Sequence, residues 1–309
     1  MTLPVPPPPA HHAPLPPARP AADGTRVLAG VPYAAIPGIR PLELDLWLPE
    51  GDGPVPLVVF LHGGGWRMGG RSSAGPMFAG AEPTPFEQVA SAGVGIASID
   101  YRLSGEAVWP AQLHDAKAAV RWLRARAGEL GIDPDRIAAW GESAGGHLAE
   151  LLGLTPDDAA LEGDVGITGA SSRVAAVVAW YAPSDVAAVA PDAGADPSDG
   201  GTREAQLLGA PPASVPDLAA QASPVHHVSP DAPSFLLLHG AADRLVPCVQ
   251  SVRLYARLGE AGVEVELDIY EGADHMWLGS PEAAEQALAR TIDVLRRPLG
   301  VYGAGAAAR

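Results

Sequence analysis

The sequence predicts an α/β domain whose central sheet is mostly parallel and carries helices on both faces. Three observations predict it. Short apolar runs of β type alternate with amphipathic stretches between about residues 56 and 295, as parallel strands joined by crossover helices require. A strand, a glycine-flanked turn and a helix follow one another without interruption in 136–152. The chain has 309 residues, 47% hydrophobic and 18% charged, enough apolar material for one large core.

Taken in order, residues 1–22 are dominated by proline, which favours polyproline II and builds no core. They are read as a disordered tail, with the domain proper at 23–300 and a second flexible tail at 301–309. The first stretch lacks a basic start followed by an apolar core, and no later stretch resembles a membrane span, so a cytoplasmic protein is expected. Strand character begins at 27–34 and passes through Pro37-Gly38 into 41–49, where leucines alternate with acidic residues as on a half-exposed antiparallel strand. Strand 56–61, a helix near 86–92, strand 94–99 and a helix from about 110 to 127 follow. In the last of these Leu113, Ala116, Val120, Leu123 and Ala127 recur at three- and four-residue spacing on one face. After the turn-bearing 136–152 stretch come strand 174–181 and a long Ala/Pro/Asp/Gly segment at 183–224, of a length usually functional or mobile. Strand 234–238, helix 249–258, strand 263–270 and helix 281–295 complete the domain, the last started by Ser280 ahead of Pro281.

A net charge of −16 argues against nucleic acid and anionic membrane partners, which need basic patches. The expected ligand is small and uncharged, or at least not polyanionic. Cys248 is the only cysteine, so no intramolecular disulfide forms, and the thiol is read as packing. His11-His12 lacks further ligands, and no histidine groups with cysteines or carboxylates at metal-ligand spacing. Neither a metal nor a cofactor is predicted.

The chemistry is carried by loops at strand ends. In Gly141-Glu142-Ser143-Ala144-Gly145-Gly146 the glycines flank Ser143 where a side chain would strike neighbouring backbone if the serine sat on a sharp strand-to-helix turn. That turn would hold the hydroxyl clear of the sheet, with the free N–H groups of a helix start beside it. Earlier, His62-Gly63-Gly64-Gly65-Trp66 follows an apolar strand, and its three glycines let main chain approach a substrate carbonyl. A serine hydroxyl alone is a poor nucleophile, so a base and an acid that orients it are needed in loops after later strands. His275 follows strand 263–270 and Asp243 follows strand 234–238. Asp274 and Glu271 are the alternative acids, and Asp243 has a helix-capping alternative near Pro247. Among other histidines, His62 is read as fixing its own loop, His147 as lying behind the serine and His239 as lying under Asp243, while His114 and His226-His227 fit no triad spacing.

His62 to Trp66, Asp100-Tyr101-Arg102-Leu103, Gly141 to Gly146, His239 to Asp243 and Gly272-Ala273-Asp274-His275 together resemble the α/β-hydrolase superfamily, most closely bacterial esterases of the hormone-sensitive-lipase and feruloyl-esterase-like branch. The resemblance extends over about residues 25–300. It implies the α/β-hydrolase fold, a small cap at 183–224 and an acyl-enzyme mechanism. In that mechanism Ser143 attacks the carbonyl, His275 takes and returns the proton, and Asp243 orients the imidazole. Ala144 N–H with the N–H groups of Gly64 and Gly65 would hold the oxyanion. Trp66, Trp180, Tyr181, Met276 and Trp277 adjoin these motifs and are expected to line the substrate pocket, with core packing as the competing reading. Two departures matter. Hormone-sensitive-lipase relatives carry a helical N-terminal cap where this chain offers prolines, which moves the resemblance toward the feruloyl-esterase-like side. Relatives often place a small residue and then phenylalanine after the histidine, where this chain has Met276-Trp277. The leading expectation is a carboxylesterase for small uncharged acyl or aryl esters, the alternatives being an amide-directed hydrolase and a non-catalytic ligand-binding protein. The expected partner is a small ester; a homodimer is left open.

Overall fold

The computed structural model describes residues 10–21, 24–51, 53–156, 158–297 and 299–300. Among the described residues nine strands form one sheet: β1 (Arg19–Pro20), β2 (Arg26–Ala34), β3 (Leu42–Leu48), β4 (Val55–Leu61), β5 (Gly95–Ile99), β6 (Ile132–Glu142), β7 (Ala176–Trp180), β8 (Ser234–Gly240) and β9 (Val265–Tyr270). Their order is β1-β2-β3-β5-β4-β6-β7-β8-β9, antiparallel from β1 to β5 and parallel from β5 to β9. The alternation of leucine and acid in β3 becomes alternation of buried and half-buried side chains. In contrast β5 and β7, covered on both faces, are buried throughout, as parallel strands under two helical layers must be.

The helices are α1 (Pro85–Ser91), α2 (Ala111–Ala125), α3 (Ala127–Leu130), α4 (Ala144–Leu154), α5 (Ala159–Glu162), α6 (Val189–Asp192), α7 (Arg203–Leu208), α8 (Pro216–Gln221), α9 (Val249–Glu260) and α10 (Pro281–Arg296). One layer, with α2, α4 and α9, packs a largely aliphatic core that includes Leu113, Val120, Leu148, Leu152 and Leu254. The other, with α1 and α10, packs a core rich in aromatic rings. Local chemistry explains the helix starts. Thr84 and Glu87 form a reciprocal capping box at α1, and Ser280 Oγ accepts the Ala283 N–H at 3.4 Å in α10.

One sequence expectation is revised here, and the segment expected as a cap is given a definite form. Residues 10–21 do not hang loose. His11 is buried, its carbonyl accepts the Trp122 indole N–H at 2.9 Å, and the Ala13 carbonyl accepts from Arg126 at 2.9 Å, so α2 clasps this stretch and β1 joins the sheet edge. The remainder of the expected tail, 1–9 and 22, lies outside the described residues, as does the expected tail 301–309. Segment 183–224 is a set of short helices pinned to the body. Gln250 Oε1 accepts from Ser184 and Asp185 N–H at 2.9 and 2.8 Å, Arg253 pairs with Asp192, and the Leu207 carbonyl accepts the Trp109 N–H at 2.8 Å.

Candidate active site

The strand ends of β6, β8 and β9 converge on Ser143. Its backbone stands at φ 51°, ψ −118°, strain that a non-glycine residue holds only where its surroundings enforce it. They do: a Cβ on Gly141 would come within 2.2 Å of the Gly145 carbonyl oxygen, and one on Gly145 within 2.0 Å of the Leu61 oxygen. Only glycine permits both approaches, and the Ser143 N–H is fixed by the Trp180 carbonyl at 2.8 Å. Among the described residues the non-glycine positive-φ positions are Trp66, Ser143, Tyr181, Met276 and Trp277. All five lie in the loops around this site.

Ser143 Oγ is 2.9 Å from His275 Nε2, and His275 Nδ1 donates to Asp243 Oδ2 at 2.6 Å. The other carboxylate oxygen, Oδ1, accepts the N–H groups of Leu245 and Val246 at 2.9 and 2.8 Å. Burial acts to raise the Asp243 pKa, but hydrogen bonds from His239 and His275 overcome it and hold the group well below the usual carboxylate range. A carboxylate fixed in this way selects the His275 tautomer whose Nε2 is free to accept the serine proton. His239 lies beneath, its Nε2 3.3 Å from Asp243 Oδ2 and donating to the Val246 carbonyl at 2.8 Å. Of the alternative acids, Asp274 is taken by the Arg244 guanidinium and by the His275 main-chain N–H at 2.8 Å, and Glu271 is exposed.

On the other side of Ser143 lies the glycine loop. His62 Nδ1 donates to the Gly63 carbonyl at 2.7 Å and its ring stacks on Tyr101 at 4.3 Å, which sets the loop in place as the sequence predicts. Gly63 N–H donates to Glu142 Oε1 at 3.2 Å and is thereby engaged. Gly64 and Gly65, at φ 114° and 60°, face the same cavity as Ser143, and Ala144 opens α4, where N–H groups have no intrahelical partner. Glu142 was not singled out from the sequence. Its carboxyl joins the glycine loop to Tyr181, whose hydroxyl donates to Oε2 at 2.6 Å, and burial raises its pKa against both hydrogen bonds. Its place directly before the serine in G-x-S-x-G was the available signal.

The cavity holds about 180 Å³ beside Ser143 and His275, with Met68, Leu245 and Met276 as apolar wall and Arg67 and Arg203 at its edge. Of the five expected pocket side chains only Met276 is there. Trp66, Trp180, Tyr181 and Trp277 are each at most 1% exposed. Trp66 turns inward and donates to His147 Nδ1 at 3.3 Å; burial pushes that imidazole down to about 4. Trp180 donates to Thr291 Oγ1 at 2.9 Å and packs against Trp140 and Trp277. Tyr181 carries this stack to His275, its ring centroid 4.8 Å from the imidazole. The physical reason is shared: these residues adjoin strand ends, where a bulky apolar side chain falls into a core layer rather than out over the serine, Trp66 into the layer with α4 and Trp180, Tyr181 and Trp277 into the layer under α10. Arg67, Met68, Arg203 and Leu245 were not foreseen, because they occupy no motif position.

Sheet order, strained serine turn and the Ser143–His275–Asp243 chain of hydrogen bonds together define an α/β-hydrolase fold. The chain belongs to the BD-FAE family, whose model matches residues 44–258. Relatives from Mycobacterium tuberculosis include the probable carboxylic ester hydrolase LipM, 35% identical over 81% of this chain and 57% of its own length, and esterase LipQ, 32% identical over 81% and 56%. The chain thus spans just over half the length of these curated relatives. Among solved structures it is similar to a truncated carbohydrate esterase from gut microbiota, with TM-score 0.79, 31% identity and coverage of 91% of this chain and 99% of that one. A thermophilic esterase of Thermogutta terrifontis with propionate bound aligns with TM-score 0.70, 28% identity and coverage of 91% and 96%. Among the described residues no helix is long and apolar enough to cross a membrane, and no cluster of three or more His, Cys, Asp or Glu could hold a metal ion.

Proposed function

We propose that the protein is a serine carboxylesterase that hydrolyses small acyl or aryl esters through an acyl-enzyme. The observation that carries this reading is the unbroken chain from Ser143 Oγ through His275 to Asp243 at 2.9 and 2.6 Å, opening on a cavity floored by the glycine loop. In the proposed reaction His275 Nε2 takes the serine proton as Oγ attacks the ester carbonyl, then returns it to the departing alcohol. Water follows the same route to release the acid. The developing oxyanion is received by Ala144 N–H and by Gly64 or Gly65 N–H, since Gly63 N–H serves Glu142. Segment 183–224 acts as a fixed cap supplying Arg203 to the cavity edge. The names of the relatives, all ester hydrolases, support the ester reading over the amide one. A cytoplasmic location is supported by a fold that needs no disulfide.

The test is a set of p-nitrophenyl esters with matched anilides, run on the parent protein and on Ser143→Ala. The parent should cleave the esters and the variant should lose about a million-fold in kcat. Anilides cleaved faster than esters would favour the amide-directed alternative, and a folded variant retaining more than a few per cent of the rate would remove Ser143 from the mechanism.

A further inference from the structure

Two positive charges stand at the edge of the Ser143 cavity, neither ion-paired to a carboxylate among the described residues. The chain is rich in acid, 36 Asp and Glu against 20 Lys and Arg, and several of its guanidinium groups sit on carboxylates: Arg71 contacts Glu43, Asp45 and Asp100, and Arg290 contacts Glu266 and Asp268. Arg67 and Arg203 form no ion pair among the described residues, and the one hydrogen bond that engages either guanidinium is a long one, 3.4 Å, from Arg203 Nη2 to the Leu245 carbonyl. Their positions are built rather than incidental. The Arg203 stem lies on the glycine loop, so that a Cβ on Gly65 would fall 2.6 Å from its Cδ, while its head reaches the loop that follows Asp243. It therefore spans the cavity from one catalytic loop to the other. Arg67 enters from the glycine loop itself, two residues beyond Gly65, and both arginines line the cavity.

The carboxyl groups nearby are already engaged. Asp243 is held by His275, His239 and two main-chain N–H groups, Asp274 by Arg244, and Glu142 is buried with hydrogen bonds to Gly63 and Tyr181. The lining is thus a short apolar wall of Met68, Leu245 and Met276 ending in two guanidiniums that form no ion pair among the described residues. The net charge of −16 opposes an anion at long range, where salt screens it, whereas the arginines act at contact. Guanidinium recognises carboxylate by paired, charge-assisted hydrogen bonds.

We propose that Arg67 and Arg203 form a carboxylate-recognising rim, and that among small esters the site favours those whose acyl chain ends in a free carboxylate, the monoesters of short dicarboxylic acids. This rests on the esterase reading and narrows its substrate class. The test compares kcat/KM for the p-nitrophenyl monoester of glutaric acid with that for p-nitrophenyl valerate, which has a similar chain and no charge. The parent, Arg67→Gln, Arg203→Gln and the double variant are measured at low ionic strength and in about 0.5 M NaCl. The glutarate-to-valerate ratio should be at least about tenfold higher in the parent than in the double variant, carried mainly by KM. Added salt should lower the parent's ratio toward that of the double variant. The salt titration uses the unmodified protein, so it stands even if a variant folds poorly. A ratio unchanged by both mutation and salt overturns the rim while leaving the esterase intact; hydrolysis of neither ester overturns the esterase reading itself.

Discussion

The cavity beside Ser143 has two walls of different construction. The inner wall is main chain and short side chains delivered by strand ends: the glycine loop after β4, the serine turn after β6, the acid after β8 and the histidine after β9. Its geometry is enforced by contacts that tolerate no substitution, such as Gly145 against the Leu61 oxygen. The outer wall, made of Arg67, Met68, Arg203, Leu245 and Met276, consists of long side chains from loops and from α7. Nothing in the sheet dictates their identity. The difference teaches that the proposed reaction is written into the backbone, and the choice of substrate into side chains that the fold leaves free.

The sharpest way to break this comparison is at the acid. Asp243→Asn should lower kcat by about ten-thousand-fold, because the amide cannot hold the imidazole in the required tautomer. Asp274→Asn, one residue from the histidine but bound to Arg244, should stay within about tenfold of the parent. Steady-state rates on folded variants decide, and an equal loss in both would mean that the inner wall is less exclusive than its hydrogen bonds imply.

The next test asks on which side of the boundary Trp277 falls. Fully buried, it should cost about 3–5 kcal/mol of stability as Trp277→Ala. The same variant should slow acetyl, butyryl, octanoyl and aryl esters in proportion, since it forms no part of the outer wall. Trp277→Phe should cost far less, because the indole N–H has no partner to lose. A melting curve beside the four kcat/KM values checks this; a selective gain for bulky esters would return Trp277 to the cavity.

The smallest effect sharpens what lies under the inner wall. Glu150, on the helix that starts at Ser143, is wholly buried with neither carboxylate oxygen hydrogen-bonded, and burial raises its pKa well above the ordinary value. Below the unfolded-state pKa both states carry the proton. Above it the unfolded chain releases a proton that the folded one retains, so this residue makes stability fall as pH rises toward the folded-state value. Glu150→Gln removes that slope. The melting temperature of the variant relative to the parent should therefore increase from pH 4.5 to pH 8, and a constant difference would show that the carboxyl finds a partner or water.

What could be read from the sequence follows the same division. Ser143, Asp243 and His275 were visible because each sits in a short pattern directly after a strand, in the order Ser, Asp, His. Arg203 was invisible, since 183–224 has no periodicity and its short helices owe their places to contacts such as Gln250 with Ser184. The aromatic residues misled for a related reason. Adjacency to a motif places a Cα near the serine but does not say to which side the ring turns, and Trp66, Trp180, Tyr181 and Trp277 turn inward and are buried. The His11–Trp122 contact joins segments 111 residues apart, and a proline-rich stretch carries no pattern that announces such a partner.

That inward turn has an optical consequence. Trp140, Trp180 and Trp277 form a stack with centroids 4.9 and 5.6 Å apart and planes inclined at 61° and 71°. Skewed indoles at such spacing couple their near-ultraviolet transitions into a chiral signal that isolated tryptophans lack. Tyr181 continues the stack, 4.9 Å from Trp277 and 4.8 Å from His275. The chromophore therefore ends on the catalytic candidate base, and a charge appearing on that imidazole perturbs it directly. In the proposed mechanism that imidazole takes the serine proton, so near-ultraviolet circular dichroism of the unlabelled protein would follow the step without an added probe.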